Sequence, residues 1–113
     1  MRAKKAGHHF ATLLLAALSL AACGGSPADP GPPPDQKLDA ANRAGTQALS
    51  LGMPAQAVRQ YKQALARAYE RDDAEAIADT AYNLALAEIR AGDPKAALST
   101  TRTTEAELRR RQV

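Results

Sequence analysis

The chain has 113 residues, and its 15 Lys and Arg against 12 Asp and Glu give a formal net charge of +3. The excess is local, because Arg2, Lys4 and Lys5 precede an apolar run, and the chain from Cys23 onward carries 12 basic and 12 acidic residues. Since that larger part is neutral, the overall basic balance gives little reason to expect a nucleic-acid partner.

The inventory of reactive side chains narrows the possible chemistry further. A single Cys excludes an intramolecular disulfide and a Cys₂His₂ or Cys₄ zinc site. His8 and His9 both lie within the first 22 residues, and the chain from residue 23 contains no His, Trp or Phe. Catalysis would depend on carboxylates, Tyr, Lys, Arg, Ser or Thr, and no spacing groups them. We therefore expect no enzyme activity, no metal site and no bound cofactor.

Residues 1–22 have the three parts of an export signal. A basic start from Met1 to His9 leads into an apolar run from Phe10 to Leu20, and small residues follow. A run of about 11 residues is too short to span a membrane as a helix, which needs about 20. It has the length of the apolar section of a secretory signal peptide.

The residues Leu20, Ala21, Ala22 and Cys23 resemble a bacterial lipobox. The resemblance implies that the Cys23 thiol receives a diacylglycerol, that the preceding peptide bond is cut, and that the new α-amino group is acylated. Several acyl chains give stable anchoring in membrane lipid, whereas one chain holds only marginally. Gly24, rather than Asp, follows the Cys, as in lipoproteins sent to the outer membrane of Gram-negative bacteria, facing the periplasm. The alternative is an ordinary secretory signal with a chance Cys.

Residues 23–36 are predicted to be a tether that begins with the lipidated Cys. Five prolines and three glycines lie between residues 24 and 36, and Pro removes amide donors and fixes φ. Extended polyproline geometry advances about 3.1 Å per residue, so the segment reaches roughly 40 Å. We interpret it as a spacer. The alternative, a docking site for a polyproline-reading partner, lacks an aromatic or basic flank.

Residues 37–113 are predicted to form an all-α domain. Apolar residues recur at helical spacing, no period-2 alternation appears, and Ala, Leu, Gln, Arg and Glu favour helix. Capping residues set the expected bounds. These are helix one from about Gln36 to Leu51 with Asp35 as N-cap, helix two from Pro54 to about Glu70, helix three capped by Asp72 with Glu75 as capping-box partner and ending near Ala91 and Gly92, and helix four capped by Asp93 and opened by Pro94.

An internal repeat with an offset of 40 residues is visible at two turns, Gly52-Met53-Pro54 and Gly92-Asp93-Pro94. The two units resemble tetratricopeptide repeats, at about residues 38–71 and 78–111. The matching positions are the small residues of the first helices, Gly45 and Ala85, those of the second helices, Ala57 and Ala97, and in the first unit Tyr61 and Ala64.

The resemblance implies two helix–turn–helix hairpins stacked as a short right-handed solenoid. The sequence departs from the family at the first helices, where Ala41 and Ala81 stand in place of a bulky aromatic. Thr101 and Thr104 replace the aromatic and small residues of the second unit. The alternative fold is a simple Ala-rich four-helix bundle.

The family's first helices line a concave groove, which predicts a peptide-binding surface here. Asn amides can hold a peptide backbone, Tyr and Leu can form pockets, and Arg can meet a carboxylate. The alternative is that Leu86 and Ile89 are core residues and Tyr82 an isolated surface aromatic. The candidate groove residues are Asn42, Thr46, Leu49, Tyr82, Asn83, Leu86 and Arg90.

The terminal run Arg109 to Arg111 is basic enough to bind anionic lipid or nucleic acid. We favour an intramolecular role, because Glu105 and Glu107 lie four residues before Arg109 and Arg111, and cations suit a helix C-terminus.

These patterns together predict a membrane-anchored lipoprotein of the bacterial cell envelope that acts as a tetratricopeptide-type protein–protein interaction module. The alternative is a pilotin-like assembly factor for an outer-membrane secretion or pilus complex. Three or more repeats usually form a continuous core, so two repeats leave an open end. We therefore expect an unidentified protein partner or a second copy of the chain to pack there.

Overall fold

The computed structural model describes residues 31–112, so the signal, Cys23 and most of the tether lie outside the described residues. Within this part of the chain there are helices but no strand, which confirms the prediction of an all-α fold. Each helix packs on the next in sequence, as in two stacked hairpins. No helix of residues 31–112 has the length and apolar character needed to cross a membrane. The helices are α1 Gln36–Ser50, α2 Pro54–Glu70, α3 Ala74–Arg90 and α4 Pro94–Arg110.

One turn geometry joins all four helices. Its central residue has left-handed backbone in each case, with φ of +70° at Gly52, +52° at Asp72 and +82° at Gly92. The amide that follows donates to a carbonyl five residues back, as from Met53 to Ala48 at 2.8 Å. This hydrogen bond closes the helix as in a Schellman motif. The turns therefore recur every 20 residues, and the 40-residue sequence repeat contains two of them.

The predicted Asp caps of α1 and α4 are confirmed, whereas the predicted cap of α3 is not. Asp35 and Asp93 accept amides of their helices' first turns, as predicted. The prediction that Asp72 caps α3 with Glu75 as its partner is wrong, because Asp72 occupies the left-handed position that ends α2. Asp73 is the cap, and its Oδ1 atom accepts a hydrogen bond from the Ala76 amide at 3.0 Å.

The core forms where α3 lies against both helices of the first hairpin. We call the surface of α1 and α2 that receives α3 the α3 seat. Small side chains allow the three helix axes to approach closely, and a few large residues fill the remaining space. The buried residues form two clusters, one of Ala48, Ala57, Tyr61, Leu84 and Ala87, and one of Leu38, Ala64, Ala68 and Ile77.

The closest approach of α1 and α2 depends on Gly45. The Tyr61 ring is buried, and a Cβ added at Gly45 would lie 2.7 Å from the ring atom Cε1. The Tyr61 hydroxyl shares a hydrogen bond of 3.0 Å with the Thr46 hydroxyl. The predicted role of Gly45 as the small residue that admits the second helix is confirmed.

The threonine run of α4 is helical and partly engaged with the core. The Thr100 hydroxyl donates to the buried carboxylate of Glu88 at 2.8 Å. Thr101 donates to the Ala97 carbonyl of its own helix at 2.9 Å, and Thr104 is buried. The Thr100 bond ties α4 to α3, whereas the Thr101 hydroxyl shares a carbonyl of its own helix, which is the usual way that Thr competes with the helix backbone.

A partly buried ion cluster fixes the end of the tether to the end of α2. One Asp35 oxygen accepts two hydrogen bonds from Arg67, at 2.7 and 3.0 Å, and one from Arg71 at 3.1 Å. Arg71 also donates to the Pro33 carbonyl at 2.6 Å. The hydrogen bond from Arg67, followed by that from the Leu38 amide, holds the pKa of Asp35 well below its ordinary value.

Removing the Asp35 charge should change how the domain responds to acid. The folded-state pKa is lower than the value of about 3.9 in unfolded chains, so the stabilisation is present at neutral pH and is lost as pH falls below about 4 toward the folded-state value. We expect Asp35→Asn to lower Tm at pH 7 and to flatten the fall of Tm between about pH 4 and 2. Thermal unfolding followed by circular dichroism measures both. Arg67→Met should flatten the same region, and wild-type acid sensitivity in both variants would contradict the role assigned to this cluster.

Gly45→Ala should destabilise the domain because of the Tyr61 ring. Overpacking costs about 1–3 kcal/mol, which outweighs the gain of about 1 kcal/mol in helix propensity. In a Tyr61→Val background the same change should instead stabilise by up to about 1 kcal/mol. Urea unfolding of the four chains gives the coupling directly. As a control, Ala85→Gly in the second hairpin should cost about 1 kcal/mol, since no Tyr stands at the counterpart position.

Candidate functional site

The α1 members of the predicted groove make contacts within the domain. The half-buried Asn42 accepts a long hydrogen bond of 3.4 Å from the Thr80 hydroxyl of α3. Thr46 shares its hydroxyl hydrogen bond with Tyr61, and Leu49 packs against the core. These side chains help to hold α1, α2 and α3 together.

The α3 members of the groove are more accessible, and they do not share one environment. Tyr82 is 72% exposed and lies beside α4. Asn83 and Leu86 are half-buried, and Arg90 is exposed. The structure therefore separates Tyr82 from the contacts made by Asn42, and the seven residues as one peptide groove stay a prediction.

An open, mainly apolar pocket of about 440 Å³ lies between α3 and α4, and Tyr82 is one of its walls. We call it the end pocket, because it lies on the last hairpin of the described chain. Its lining comes from these two helices alone: Ala78, Ala81, Tyr82 and Ala85 of α3, and Thr101, Thr104, Glu105, Leu108 and Arg109 of α4.

The end pocket is the counterpart of the α3 seat. Each lining residue has a counterpart 40 positions earlier, and those counterparts belong to the surface that packs against α3 or against its neighbours in the core. The second hairpin thus repeats a helix-binding surface with no following helix on it in the described chain. The counterparts are Leu38, Ala41, Asn42, Gly45, Tyr61, Ala64, Leu65, Ala68 and Tyr69.

Two exposed apolar residues extend this surface. Ile89 is 57% exposed and Leu98 is 51% exposed. Their counterparts Leu49 and Val58 pack against the core cluster that contains Leu84 of α3. Ile89 follows Tyr82 by seven residues, and Leu98 precedes Thr101 by three. At helical spacing, each pair lies on one side of its helix. We call the end pocket together with Ile89 and Leu98 the end face.

The second hairpin differs from the first along one stripe of α4. Leu65 and Tyr69 of α2 line a small gap facing α4, whereas the pair Glu105 and Arg109 at the matching places form a salt bridge with each other. The end face therefore has an apolar floor and a charged rim. The replacements along the stripe are Tyr61 by Thr101, Leu65 by Glu105 and Tyr69 by Arg109.

The opposite end of the domain has a different character. The outer surface between α1 and α2 carries only alanine and polar or charged side chains. Terminal units of repeat proteins need such a polar outer face for solubility. This end of the two-hairpin stack has the polar surface of a terminal unit, whereas the end face does not. We call it the closed end. The residues of the closed end are Lys37, Ala40, Ala41, Ala44, Gln60, Gln63, Ala66, Arg67 and Glu70.

The terminal arginines are engaged within the domain. The predicted pairs Glu105–Arg109 and Glu107–Arg111 are present, and Arg111 also bonds Asp72 at 2.7 Å. The Arg111 guanidinium lies 5.7 Å from the centroid of the Tyr69 ring. These contacts fasten the end of α4 to the turn before α3.

No group of three or more His, Cys, Asp or Glu within residues 31–112 is placed to hold a metal ion.

Comparisons with protein families, with curated proteins and with solved structures found no match. The functional interpretation therefore depends on the shape and chemistry of the end face. Of its residues, only Tyr82 is among the predicted groove residues, although the 40-residue offset applied to Leu49 and Val58 identifies Ile89 and Leu98.

The exposure of the end face can be tested through stability. In dilute solution Leu98→Gln should change the free energy of unfolding by no more than about 0.5 kcal/mol, because the side chain is already hydrated. The counterpart change Val58→Gln should cost more than about 1 kcal/mol, because it places an amide against the core. Urea unfolding compares the two. An equal loss in both variants would mean that Leu98 is covered within the folded chain.

Proposed function

We propose that this protein is a lipoprotein of the bacterial cell envelope whose helical domain is a protein-interaction module of the tetratricopeptide type. The anchor is the acylated Cys23, and the interaction surface is the end face. The proposed activity is binding, with no chemical step. The lipobox resemblance supports the anchor, and the exposed counterpart of the α3 seat supports the interaction.

The observation that carries the proposal is the mismatch between the two ends of the domain. A surface with the helix-binding pattern of the α3 seat stays exposed at α3 and α4, while the other end is polar. Exposed apolar patches rimmed by charge mark protein-interaction sites. Ile89, Leu98 and Tyr82, each more than half exposed, give this patch the large apolar side chains that binding energy requires.

The ion cluster of Asp35 holds the start of the described chain against the end of α2. Because Arg67 and Arg71 hold Pro33 and Asp35 at the end of α2, the tether leaves the domain there. The end face extends along α3 and α4, and a partner can approach it from the side.

Site-specific photocrosslinking in the source bacterium tests the interaction. A photoreactive residue at Tyr82 should give a crosslinked protein product in the native envelope. The same residue at Gln63, on the closed end of the domain, should give little or none. Mass spectrometry then identifies the product, and a component of a secretion or pilus complex would favour the assembly-factor alternative. No product at Tyr82 would contradict the proposed function.

The anchor is tested separately with Cys23→Ser. We expect the variant to keep its signal, to lack the acyl mass and to be lost from the membrane fraction. Unchanged processing and fractionation would refute the lipoprotein part of the proposal and leave the end face unaffected.

A further inference from the structure

We propose that the occupant of the end face is a second copy of this chain, related by a two-fold axis parallel to the helices. This inference rests on the proposed function, because it names the partner of the same surface. In the pair, α3 of each copy lies along the groove between α3 and α4 of the other. Tyr82 of each copy enters the end pocket of its partner.

The end pocket lacks an aromatic side chain that its counterpart has. In the first hairpin, the Tyr61 ring fills the space between Gly45 and α3. In the second hairpin Thr101 stands at that place, and its hydroxyl is already bonded to the Ala97 carbonyl at 2.9 Å. The pocket therefore offers an open, mainly apolar space that is large enough for a ring, and the Thr101 hydroxyl is already satisfied, which suits an aromatic group.

Tyr82 is positioned to supply that group to a second copy. It is 72% exposed, it lines the pocket of its own chain, and it lies on the outer side of α3. A two-fold axis parallel to the helices keeps corresponding α3 residues at the same height. Tyr82 of the second copy therefore arrives at the level of the pocket, where Ala81, Ala85 and Thr104 form the floor.

The rest of the end face is complementary to itself under the same symmetry. The start of α3 lies beside the end of α4 in each chain, as the Asp72–Arg111 bond shows. The acidic start of α3, with Glu75 exposed, therefore meets the end of α4 of the other copy, where Arg109 is paired with Glu105 of its own helix and has further N–H groups for a second carboxylate. At the opposite end of the groove, Ile89 of one copy meets Leu98 of the other.

Other arrangements of two copies fit less well. In a head-to-tail contact, α1 would enter the groove with Lys37 and Ala44 at the places where α3 carries Ile77 and Leu84, so an ammonium group would face apolar floor. A two-fold axis perpendicular to the helices, with α3 in the same groove, would place the two α4 helices in the same space. The parallel two-fold avoids both problems and satisfies an isologous contact.

Crosslinking between two differently tagged full chains tests the pairing in the membrane. One chain carries Ile89→Cys and the other Leu98→Cys, and the membranes are treated with a short bis-maleimide. We expect a product that contains both tags, at a yield at least about tenfold above that of the control pair Ile89→Cys and Gln63→Cys. A yield no higher than the control would overturn the inference.

A second pair of variants tests the role of the end pocket. Thr101→Tyr with Ala85→Gly rebuilds the Tyr61–Gly45 contact inside one chain and fills the pocket. Added to both tagged chains, this double change should reduce the crosslinked product to the control level, while the thermal transition shows that the domain stays folded. An undiminished yield in the folded double variant would mean that Tyr82 does not enter the pocket.

The photocrosslinking at Tyr82 separates this inference from the function on which it rests. A product of twice the chain mass that contains only this protein supports both. A product with a different protein, together with control-level yield in the tagged pair, would overturn the second copy as occupant and retain the interaction module. The absence of any product would overturn both.

Discussion

The contact between the Tyr61 ring and the bare Cα of Gly45 is the constraint on which the rest of the domain depends. Because no Cβ stands in the way, α2 approaches α1 closely enough to form a groove of small side chains. Ile77 and Leu84 of α3 pack into that groove, and they are among the few large apolar residues of the core. A chain this poor in bulky side chains gains its buried area through close helix approach.

The second hairpin repeats this backbone arrangement without repeating its central contact. Ala85 and Thr101 replace Gly45 and Tyr61, so the closest-packed place in the first hairpin becomes an open pocket in the second. A void of this kind forfeits dispersion contacts and leaves apolar surface in water. The same exchange leaves the open pocket that the proposed pair fills with Tyr82.

The sequence predicts those features of the fold that depend on neighbouring residues. Helical spacing, Pro at first positions and Asp caps gave α1, α2 and α4 nearly their observed bounds. The sequence around Asp72 does not predict its left-handed backbone, because this conformation is rarer for Asp than for Gly, and only the 20-residue recurrence of the turn indicates it. The Asp35–Arg67 contact joins residues 32 positions apart, and composition cannot select it among the 12 acids and 12 bases from Cys23 onward. The end face could not be predicted from the sequence, because its recognition depends on knowing which residues of α1 and α2 pack against α3.

An exposed apolar surface at one end only limits how far copies of the domain can associate. A repeat stack with two apolar ends would add copies without limit, whereas Lys37 and the Gln and Ala residues of the closed end give a further copy no apolar floor. The proposed two-fold contact would cover the end face of both copies, so association would stop at two. Because the axis runs parallel to the helices, both Asp35 clamps lie at the same end of the pair. Under the proposed acylation of Cys23, such a pair would carry twice the acyl chains of a single copy, which strengthens attachment to one membrane.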